Sequence, residues 1–107
     1  MKIKQYEIVL VNLDPAVGSE IKKTRPCLVI SPNEINDNLR TVIIVPLTSS
    51  SKPYPTRVKI FSNNQEGWAV IDQIRTIDKT RIIKYLSSIS VEESFAVKAV
   101  IKETLVD

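Results

Sequence analysis

Residues 57–71, with the sequence RVKIFSNNQEGWAVI, indicate the fold class most directly. The first five residues alternate charged with hydrophobic side chains, which is the period-2 pattern of a half-buried antiparallel strand. The polar residues 63–67 then predict a turn, and residues 68–71 predict a second strand that runs back along the first. This stretch therefore predicts a β-hairpin.

Three further apolar runs precede the hairpin, and each is too short for a helix. They are residues 7–13 (EIVLVNL), 27–30 (CLVI) and 41–45 (TVIIV). Pro46 directly follows the third run and predicts a bulge or a lost ladder bond near the end of that strand. The runs are separated by loops, of which residues 16–25 form a long basic one and residues 49–55 (SSSKPYP) an exposed one.

The C-terminal third of the sequence predicts one long helix. Residues 76–81 indicate a short helical turn, and residues 82–89 fit either a strand or irregular structure. Residues 90–93 (SVEE) then match a capping box, the start signal of a helix. Apolar residues recur every fourth position after it, at Val97, Ile101 and Leu105 with Val100 beside them, which predicts an amphipathic helix.

Short strands followed by one terminal helix predict a mainly β fold. We expect a small, strongly bent antiparallel sheet or barrel, with the helix covering part of its apolar face. The 107 residues, 43% of them hydrophobic, predict one globular domain spanning residues 1–107. The sequence has no signal-peptide pattern and no apolar run of about 20 residues, so we expect a cytoplasmic protein with no membrane association.

Composition restricts the chemistry. The chain has 15 basic and 12 acidic residues, a mild excess that favours an anionic partner. It has no histidine and a single cysteine, which excludes a zinc site built from His and Cys as well as a Cys–His catalytic pair. That cysteine, Cys27, lies in an apolar run and is expected to be buried as a small hydrophobic residue.

Six sequence stretches carry a resemblance to a known family. Gly18-Ser19-Glu20 and Thr24-Arg25-Pro26 resemble the MazF/PemK toxin family, in which a Gly-x-Glu step and an Arg-Pro pair frame the first long loop. Four more stretches agree in the same order: residues 12–15 (NLDP), 45–49 (VPLTS), 51–55 (SKPYP) and 72–78 (DQIRTID). The resemblance spans residues 6 to 81, and the terminal helix agrees in place.

The resemblance implies an SH3-like antiparallel β-barrel of the plasmid-maintenance-toxin type and a homodimer. It also implies a sequence-specific endoribonuclease that cuts single-stranded mRNA, inhibits translation and growth, and leaves 2′,3′-cyclic phosphate and 5′-hydroxyl ends. The implied partner is a cognate antitoxin with an acidic disordered segment. No metal or other cofactor is expected, because attack by the 2′-hydroxyl of the RNA requires no activated water.

By matching positions, Arg25 and Thr48 are the implied catalytic residues. A guanidinium presents paired donors to the oxygens of a phosphorane, and the hydroxyl of Thr48 can anchor one of those oxygens. A guanidinium is a poor base, so if Arg25 transfers a proton it would protonate the leaving oxygen. The sequence designates no group that takes the 2′-hydroxyl proton.

The matched motifs also imply a set of RNA-binding residues with competing structural roles. The set comprises Ser19, Glu20, Lys22, Ser49, Lys52, Tyr54, Gln73 and Arg75. Lys52 and Tyr54 suit stacking on an unpaired base but equally suit a solvated loop tip.

Several charged and aromatic side chains have alternative structural interpretations. For Glu20, an ion pair with Lys22 or Arg25 is favoured over a role as a catalytic base. For Arg75, the alternative to RNA contact is an ion pair with Asp72 or Asp78. For Trp68, a position in the core or a dimer interface is favoured over a role in stacking on bases.

The sequence departs from some relatives at two positions. Those relatives have a catalytic arginine where this chain has Val70, and a histidine where it has Ser19. Their two roles are therefore not assigned here, and Asp72 is expected to be structural.

Two other functions compete with the nuclease. A non-enzymatic toxin on the same barrel would resemble the family that poisons DNA gyrase, but it has no need for an arginine facing a hydroxyl. An adaptor that binds peptides would require aromatic-lined clefts, whereas only 6% of the residues are aromatic.

Overall fold

A computed structural model describes residues 2–62 and 65–107. Within these residues seven strands and two α-helices follow one another along the chain. They are β1 (Glu7–Asn12), β2 (Thr24–Val29), α1 (Asn33–Asn38), β3 (Thr41–Thr48), β4 (Arg57–Ser62), β5 (Gln65–Val70), β6 (Arg75–Asp78), β7 (Ile82–Ser88) and α2 (Val91–Ile101). Short 3-10 turns at Ile71–Gln73 and Lys79–Arg81 flank β6, and Lys102–Val106 extends α2 as a π-helical turn. No helix of these described residues is long and apolar enough to cross a membrane.

All the strands pair in antiparallel fashion, in the order β4-β5-β3-β2-β1-β7, with β6 also on β3. The eight-residue β3 curls the sheet, because its first half pairs with β6 and its last two residues pair with β5. The mainly β fold with a terminal helix is thus confirmed.

Pro46 does not interrupt β3 or shift its register with β2, so the expected bulge is wrong, whereas the alternative of a lost ladder bond agrees with the pairing on the other side of the strand. The β6 ladder ends at Ile44 and the β5 ladder begins at Leu47. Pro46 lies between these two ladders and pairs in register with Cys27 on the other side. Its missing N–H therefore falls where the sheet needs no donor.

The central strands bury both faces. One core cluster contains Val9, Val11, Cys27, Val29, Val42, Ile44 and Ile77, and the other contains Ile8, Leu28, Val45, Leu47, Val58, Ile60 and Ala69. Val97 of α2 belongs to the second cluster, so the helix covers this face of the sheet. Burial on both faces explains why the first three strands are nearly continuous apolar runs.

The capping box at α2 is confirmed. The Oγ of Ser90 accepts a bond from Glu93 N (3.1 Å), and the carboxylate of Glu93 accepts one from Ser90 N (2.8 Å). Its second oxygen accepts from Phe61 N (2.7 Å), which joins the helix to β4. The predicted apolar stripe is correct at Val97 but wrong at Leu105, which is 52% exposed because the π-helical turn changes the register.

Three other boundaries differ from expectation. The predicted turn at 63–67 is too long, since Gln65 to Gly67 already pair with β4; residues 63 and 64 lie outside the described residues. The first half of the segment 76–81 belongs to β6, and the expected short helical turn is confined to its second half, the 3-10 turn at Lys79–Arg81. Residues 82–88 resolve the open alternative as a strand. Helix α1 was not expected, because its six residues contain one apolar side chain, Ile35, and therefore show no apolar periodicity, while its buried residue is the polar Asn36.

Candidate active site

Arg25 and Thr48 lie at neighbouring ends of β2 and β3. The pairing of these strands runs from Val29–Ile44 to Cys27–Pro46, and two more residues in the same register bring Arg25 opposite Thr48. The ladder stops before that point because Pro26 has no N–H to donate. The two strand ends therefore open into a cavity.

This cavity has a volume of about 170 Å³ and is lined by both residues. Its apolar lining consists of Ile8, Pro26, Leu47, Ile60 and Leu86, and its polar lining consists of Arg25, Thr48, Ser49, Ser62, Gln65, Glu66 and Gly67. The backbone of β5 at Gly67 packs against the strand end, and a Cβ there would lie in van der Waals contact with the carbonyl oxygen of Thr48, at 3.4 Å. Donors above an apolar floor hold charge in a partly water-excluded place, where electrostatic interactions are strengthened.

The guanidinium of Arg25 is exposed and forms no hydrogen bond or ion pair with any residue that the structure describes. Thr48 Oγ1 donates to the carbonyl oxygen of Ser50 at 3.1 Å. Rotation about one side-chain bond would redirect that donor into the cavity. The pair can therefore present several donors to one tetrahedral oxyanion.

A second hollow of about 220 Å³ brings together three of the expected RNA-binding residues, Glu20, Gln73 and Arg75. The Oε1 of Gln73 accepts a bond from Ile21 N (2.8 Å), and Arg75 Nη1 donates to the carbonyl oxygen of Leu13 (3.3 Å). The first bond fastens the basic loop, residues 16–25, to the segment that carries Gln73 and Arg75, and the second fastens that segment to the residue that follows β1.

Some expected ion pairs are not formed in the structure. The carboxylate of Glu20 accepts a bond from Val17 N (2.6 Å) and pairs with neither Lys22 nor Arg25. Arg75 pairs with neither Asp72 nor Asp78. Both side chains instead satisfy backbone groups of loop ends, which are costly to leave unpaired when the chain turns.

The remaining expected RNA-binding residues lie on two loops. Ser19 and Lys22 are exposed on the basic loop and line neither hollow, whereas Ser49 lines the first. Lys52 and Tyr54 are exposed on residues 49–56, hereafter the 49–56 loop, and Tyr54 is 48% exposed. Trp68 is half-buried on β5 and belongs to neither core cluster. Lys59 Nζ lies 5.8 Å from its ring centroid.

Arg57 and Asp72 are neighbours of the site that strand alternation alone did not identify. Alternation assigned Arg57 to an outward face of β4, yet its side chain is only 20% exposed and its Nε lies 3.5 Å from Asp72 Oδ1. Asp72 also accepts a bond from Thr56 Oγ1 at 2.8 Å, in keeping with its expected structural role. The sequence shows that Arg57 follows a loop with two prolines, but it does not show that this loop packs against the Arg57 side chain.

The single cysteine of the chain, Cys27, is buried and provides no reactive thiol. Burial raises the pKa of the Cys27 thiol from its ordinary 9.0 to about 12, although the charge of Arg75 acts in the opposite direction. A neutral thiol is a poor nucleophile. The described residues contain no group of three His, Cys, Asp or Glu side chains that could hold a metal ion.

Comparison with known proteins agrees with the fold and the motifs. The family described as PemK-like, MazF-like toxin of type II toxin-antitoxin system matches residues 4–105. The endoribonuclease toxin MazF of Escherichia coli (strain K12) is 35% identical over 71 residues, which are 66% of this chain and 64% of that protein, just under two thirds of its length.

Two solved structures share the fold. The crystal structure of MazF (Form-I) from Deinococcus radiodurans superimposes with a TM-score of 0.88 at 25% identity and covers 98% of this chain and 97% of that one. A mycobacterial endoribonuclease in complex with its cognate antitoxin gives a TM-score of 0.83 at 20% identity, covering 96% of this chain and 94% of the other.

Proposed function

The chain belongs to the PemK/MazF-like toxin family of type II toxin–antitoxin systems, and on that premise we propose that it is a sequence-specific endoribonuclease that cleaves single-stranded mRNA. The observation that carries the proposal is the meeting of Arg25 and Thr48 in one cavity. The similar protein from Escherichia coli is an endoribonuclease toxin, which supports the same activity here. Cleavage of mRNA in the cytoplasm would inhibit translation and growth.

In the proposed reaction the 2′-oxygen of the RNA attacks the adjacent phosphorus and the bond from phosphorus to the 5′-oxygen breaks. The 2′-hydroxyl loses its proton and the departing 5′-oxygen gains one. The products are a 2′,3′-cyclic phosphate and a 5′-hydroxyl, and no metal is required. Negative charge grows on the phosphoryl oxygens during the attack, and this is the charge that the protein must stabilise.

Arg25 is proposed to provide that stabilisation, and Thr48 to anchor a phosphoryl oxygen. The free guanidinium of Arg25 can meet two oxygens at once without giving up an existing partner. In the free protein the hydroxyl of Thr48 is paired with Ser50 O. On binding it would exchange that bond for one to the phosphate. The apolar floor of the cavity would exclude water from one side of the reacting phosphate.

Base recognition is proposed for the residues around the two hollows. Lys52 and Tyr54 would stack on unpaired bases, while Glu20, Gln73 and Arg75 would contact base edges from the second hollow. Ser19, Lys22 and Ser49 would contribute contacts along the backbone path between them.

Substitution of Arg25 tests the catalytic assignment. We expect Arg25→Ala to lower the single-turnover cleavage rate by about 10²- to 10³-fold, the range for losing one preorganised donor, and Thr48→Ala to lower it as well. Arg40→Ala is the matched control, because Arg40 is also an exposed arginine but lines neither hollow.

A wild-type rate in Arg25→Ala would remove that residue from the mechanism. The second candidate function, a non-enzymatic toxin that poisons DNA gyrase, predicts that Arg25→Ala still arrests growth and that gyrase is inhibited without RNA cleavage.

A homodimer and a cognate antitoxin complete the proposal. Apolar side chains are exposed on α2, at Val91 and Phe95, and on the edge strand β7, at Ile83 and Tyr85, and burial between subunits would remove them from water. Sedimentation should then give twice the 12.1 kDa of the chain. A monomer at assay concentrations would contradict the dimer.

The antitoxin is proposed to place an acidic disordered segment over the RNA site. The mycobacterial endoribonuclease of the same fold is solved with its cognate antitoxin, which supports a partner of this class. Lys22, Lys23, Arg25 and Lys52 are exposed basic residues that either polyanion would meet. Arg57 is not counted in this group, because it is already paired with Asp72.

Competition between the two ligands tests this part of the proposal. An RNA oligonucleotide lacking the 2′-hydroxyl at the cut site should be displaced by the acidic segment, and both should bind more weakly as salt rises. Simultaneous binding with unchanged affinities would show that inhibition acts elsewhere.

A further inference from the structure

The side chain of Arg57 joins three parts of the structure. Its Nη1 donates to Ser51 Oγ at 2.8 Å, and its guanidinium carbon lies 5.1 Å from the ring centroid of Tyr54. Its Nε lies 3.5 Å from Asp72 Oδ1. Arg57 therefore contacts both arms of the 49–56 loop and the 3-10 turn at Ile71–Gln73 at the same time.

The 49–56 loop has few other contacts to hold it. Its ends are bonded to their neighbours, Ser50 O to Thr48 Oγ1 and Thr56 to Ile71 N and Asp72. The bonds within residues 51–55 are local, from Ser51 Oγ and from Tyr54 N to the carbonyl oxygen of Lys52. None of its residues belongs to either core cluster. In the described part of the chain, the hydrogen bonds that leave residues 51–55 run to Arg57, from its Nη1 to Ser51 and from its backbone N to Tyr54 O.

The other end of this connection is fixed. Asp72 accepts a bond from Thr56 Oγ1, and the next residue, Gln73, accepts one from Ile21 N. The Nε of Arg57 is buried and has no hydrogen-bond partner among the described residues, so Asp72 is the counter-charge that offsets the cost of burying it. A buried charge that is paired in this way resists rotation out of its place.

We propose that Arg57 is a positioning residue that fixes the 49–56 loop, and with it Lys52 and Tyr54, in the conformation that receives the RNA. This role rests on the proposed ribonuclease function. It requires an arginine, because two different nitrogens of the guanidinium reach Ser51 and Asp72 while the group lies over the ring of Tyr54. A lysine at this position keeps the charge but has a single nitrogen to reach both partners.

Steady-state kinetics on a defined RNA test the proposal. For both Arg57→Ala and Arg57→Lys we expect KM to rise about 3- to 10-fold, the effect of leaving a contact side chain to be ordered on binding. The kcat should stay within about twofold, because Arg25 and Thr48 do not contact Arg57. Ser51→Ala, which removes the bond from Arg57 and the local bond to Lys52 O but no core contact, should show a smaller rise in KM.

Lys59→Ala is the matched control for lost charge. Lys59 lies two residues further along β4, pairs with Glu66 at 3.3 Å and lies over the ring of Trp68, but it does not contact the loop. The KM of Lys59→Ala, which loses a charge, should rise less than the KM of Arg57→Lys, which keeps one. A wild-type KM in Arg57→Lys, or a fall in kcat at constant KM, would overturn the positioning role.

Hydrogen–deuterium exchange gives a measurement that does not depend on RNA. The backbone amides of the 49–56 loop should exchange faster in Arg57→Ala than in the wild type or Lys59→Ala, with unchanged exchange in β2 and β3. Equal exchange in all three proteins would overturn the proposal even if KM rises. A wild type that cleaves no RNA would overturn the proposed function and the RNA-positioning role together, and exchange would then report separately whether Arg57 holds the loop.

Discussion

At the scale of single residues, what distinguishes Arg25 is that it lines a cavity while no described residue engages its donors; Arg40 has equally unengaged donors but lines neither hollow. Arg57, Arg75 and Arg81 each donate to a protein oxygen, and each thereby holds a loop or a strand end. Arg25 donates to none of the described residues although it borders the cavity. A guanidinium that is preorganised by its strand and has no partner costs little to redirect to a phosphate.

Cys27 supports a prediction about pH at the same scale. Its thiol ionises near pH 9.0 when unfolded and near 12 when folded, because burial disfavours the thiolate. Between these values the folded protein binds more protons than the unfolded chain, so the free energy of unfolding falls as pH rises, by up to about 1.4 kcal/mol per pH unit. Below pH 9.0 the full contribution is present.

Urea unfolding at pH 8 and pH 10 measures this effect. The wild type should lose about 1 kcal/mol more than Cys27→Ala between the two values, and any cavity in the variant cancels because each protein is compared with itself. Equal losses in both proteins would show that the folded thiol ionises normally.

At the scale of secondary-structure elements, the N-terminus of α2 both starts the helix and attaches it to the sheet. Ser90 and Glu93 satisfy each other's backbone N–H groups, and Glu93 also accepts from Phe61 N of β4. The residues that start the helix therefore also fix its position against the sheet.

Ser90→Ala should lower the free energy of unfolding by about 1 kcal/mol, the usual cost of losing an N-cap hydroxyl. Ser94→Ala is the matched control in the same helix, since its Oγ donates only to Val91 O within the helix. Alanine is the better helix former, so we expect Ser94→Ala to be neutral or stabilising. Equal destabilisation in chemical denaturation would mean that the cap contributes nothing specific.

The elements also show which features a sequence can predict. The strands buried on both faces were predicted at residues 7–13, 27–30 and 41–45 because burial requires apolar runs. The observed β2 begins earlier, at Thr24 within the predicted loop, and β3 ends later, at Thr48, because the polar ends of these strands carry no apolar signal. Helix α1 was missed because its only buried residue is the polar Asn36. The bulge at Pro46 was wrongly expected because the sequence does not show where one ladder ends and the next begins.

The candidate site, too, was predicted only in part. The motifs predicted Arg25 and Thr48 as a pair, and strand register brings them to one cavity. The contact of Arg57 with Ser51, Tyr54 and Asp72 was not predicted, because it depends on how a loop folds back over a strand end. Alternation along a strand assigns a side chain to a face, and a neighbouring loop can then cover it.

At the scale of the whole molecule, the curled sheet has two apolar cores, and the first cavity opens where β2 and β3 stop pairing. The second hollow and the 49–56 loop adjoin the Ile71–Gln73 turn through Gln73 and Asp72. A flexible single strand can follow such a path between loops, whereas the bases of a duplex are already stacked and paired.

Analysis of the ends of RNA fragments tests the central claim most directly. Purified protein is incubated with a long single-stranded RNA in excess EDTA, beside Arg25→Ala and Arg40→Ala, and both new ends are sequenced and chemically identified. The account predicts cuts at a defined short motif, with 2′,3′-cyclic phosphate and 5′-hydroxyl ends, at the same rate with or without EDTA and much slower in Arg25→Ala. Fragments with 5′-phosphate ends, or cleavage that EDTA abolishes and magnesium restores, would contradict it.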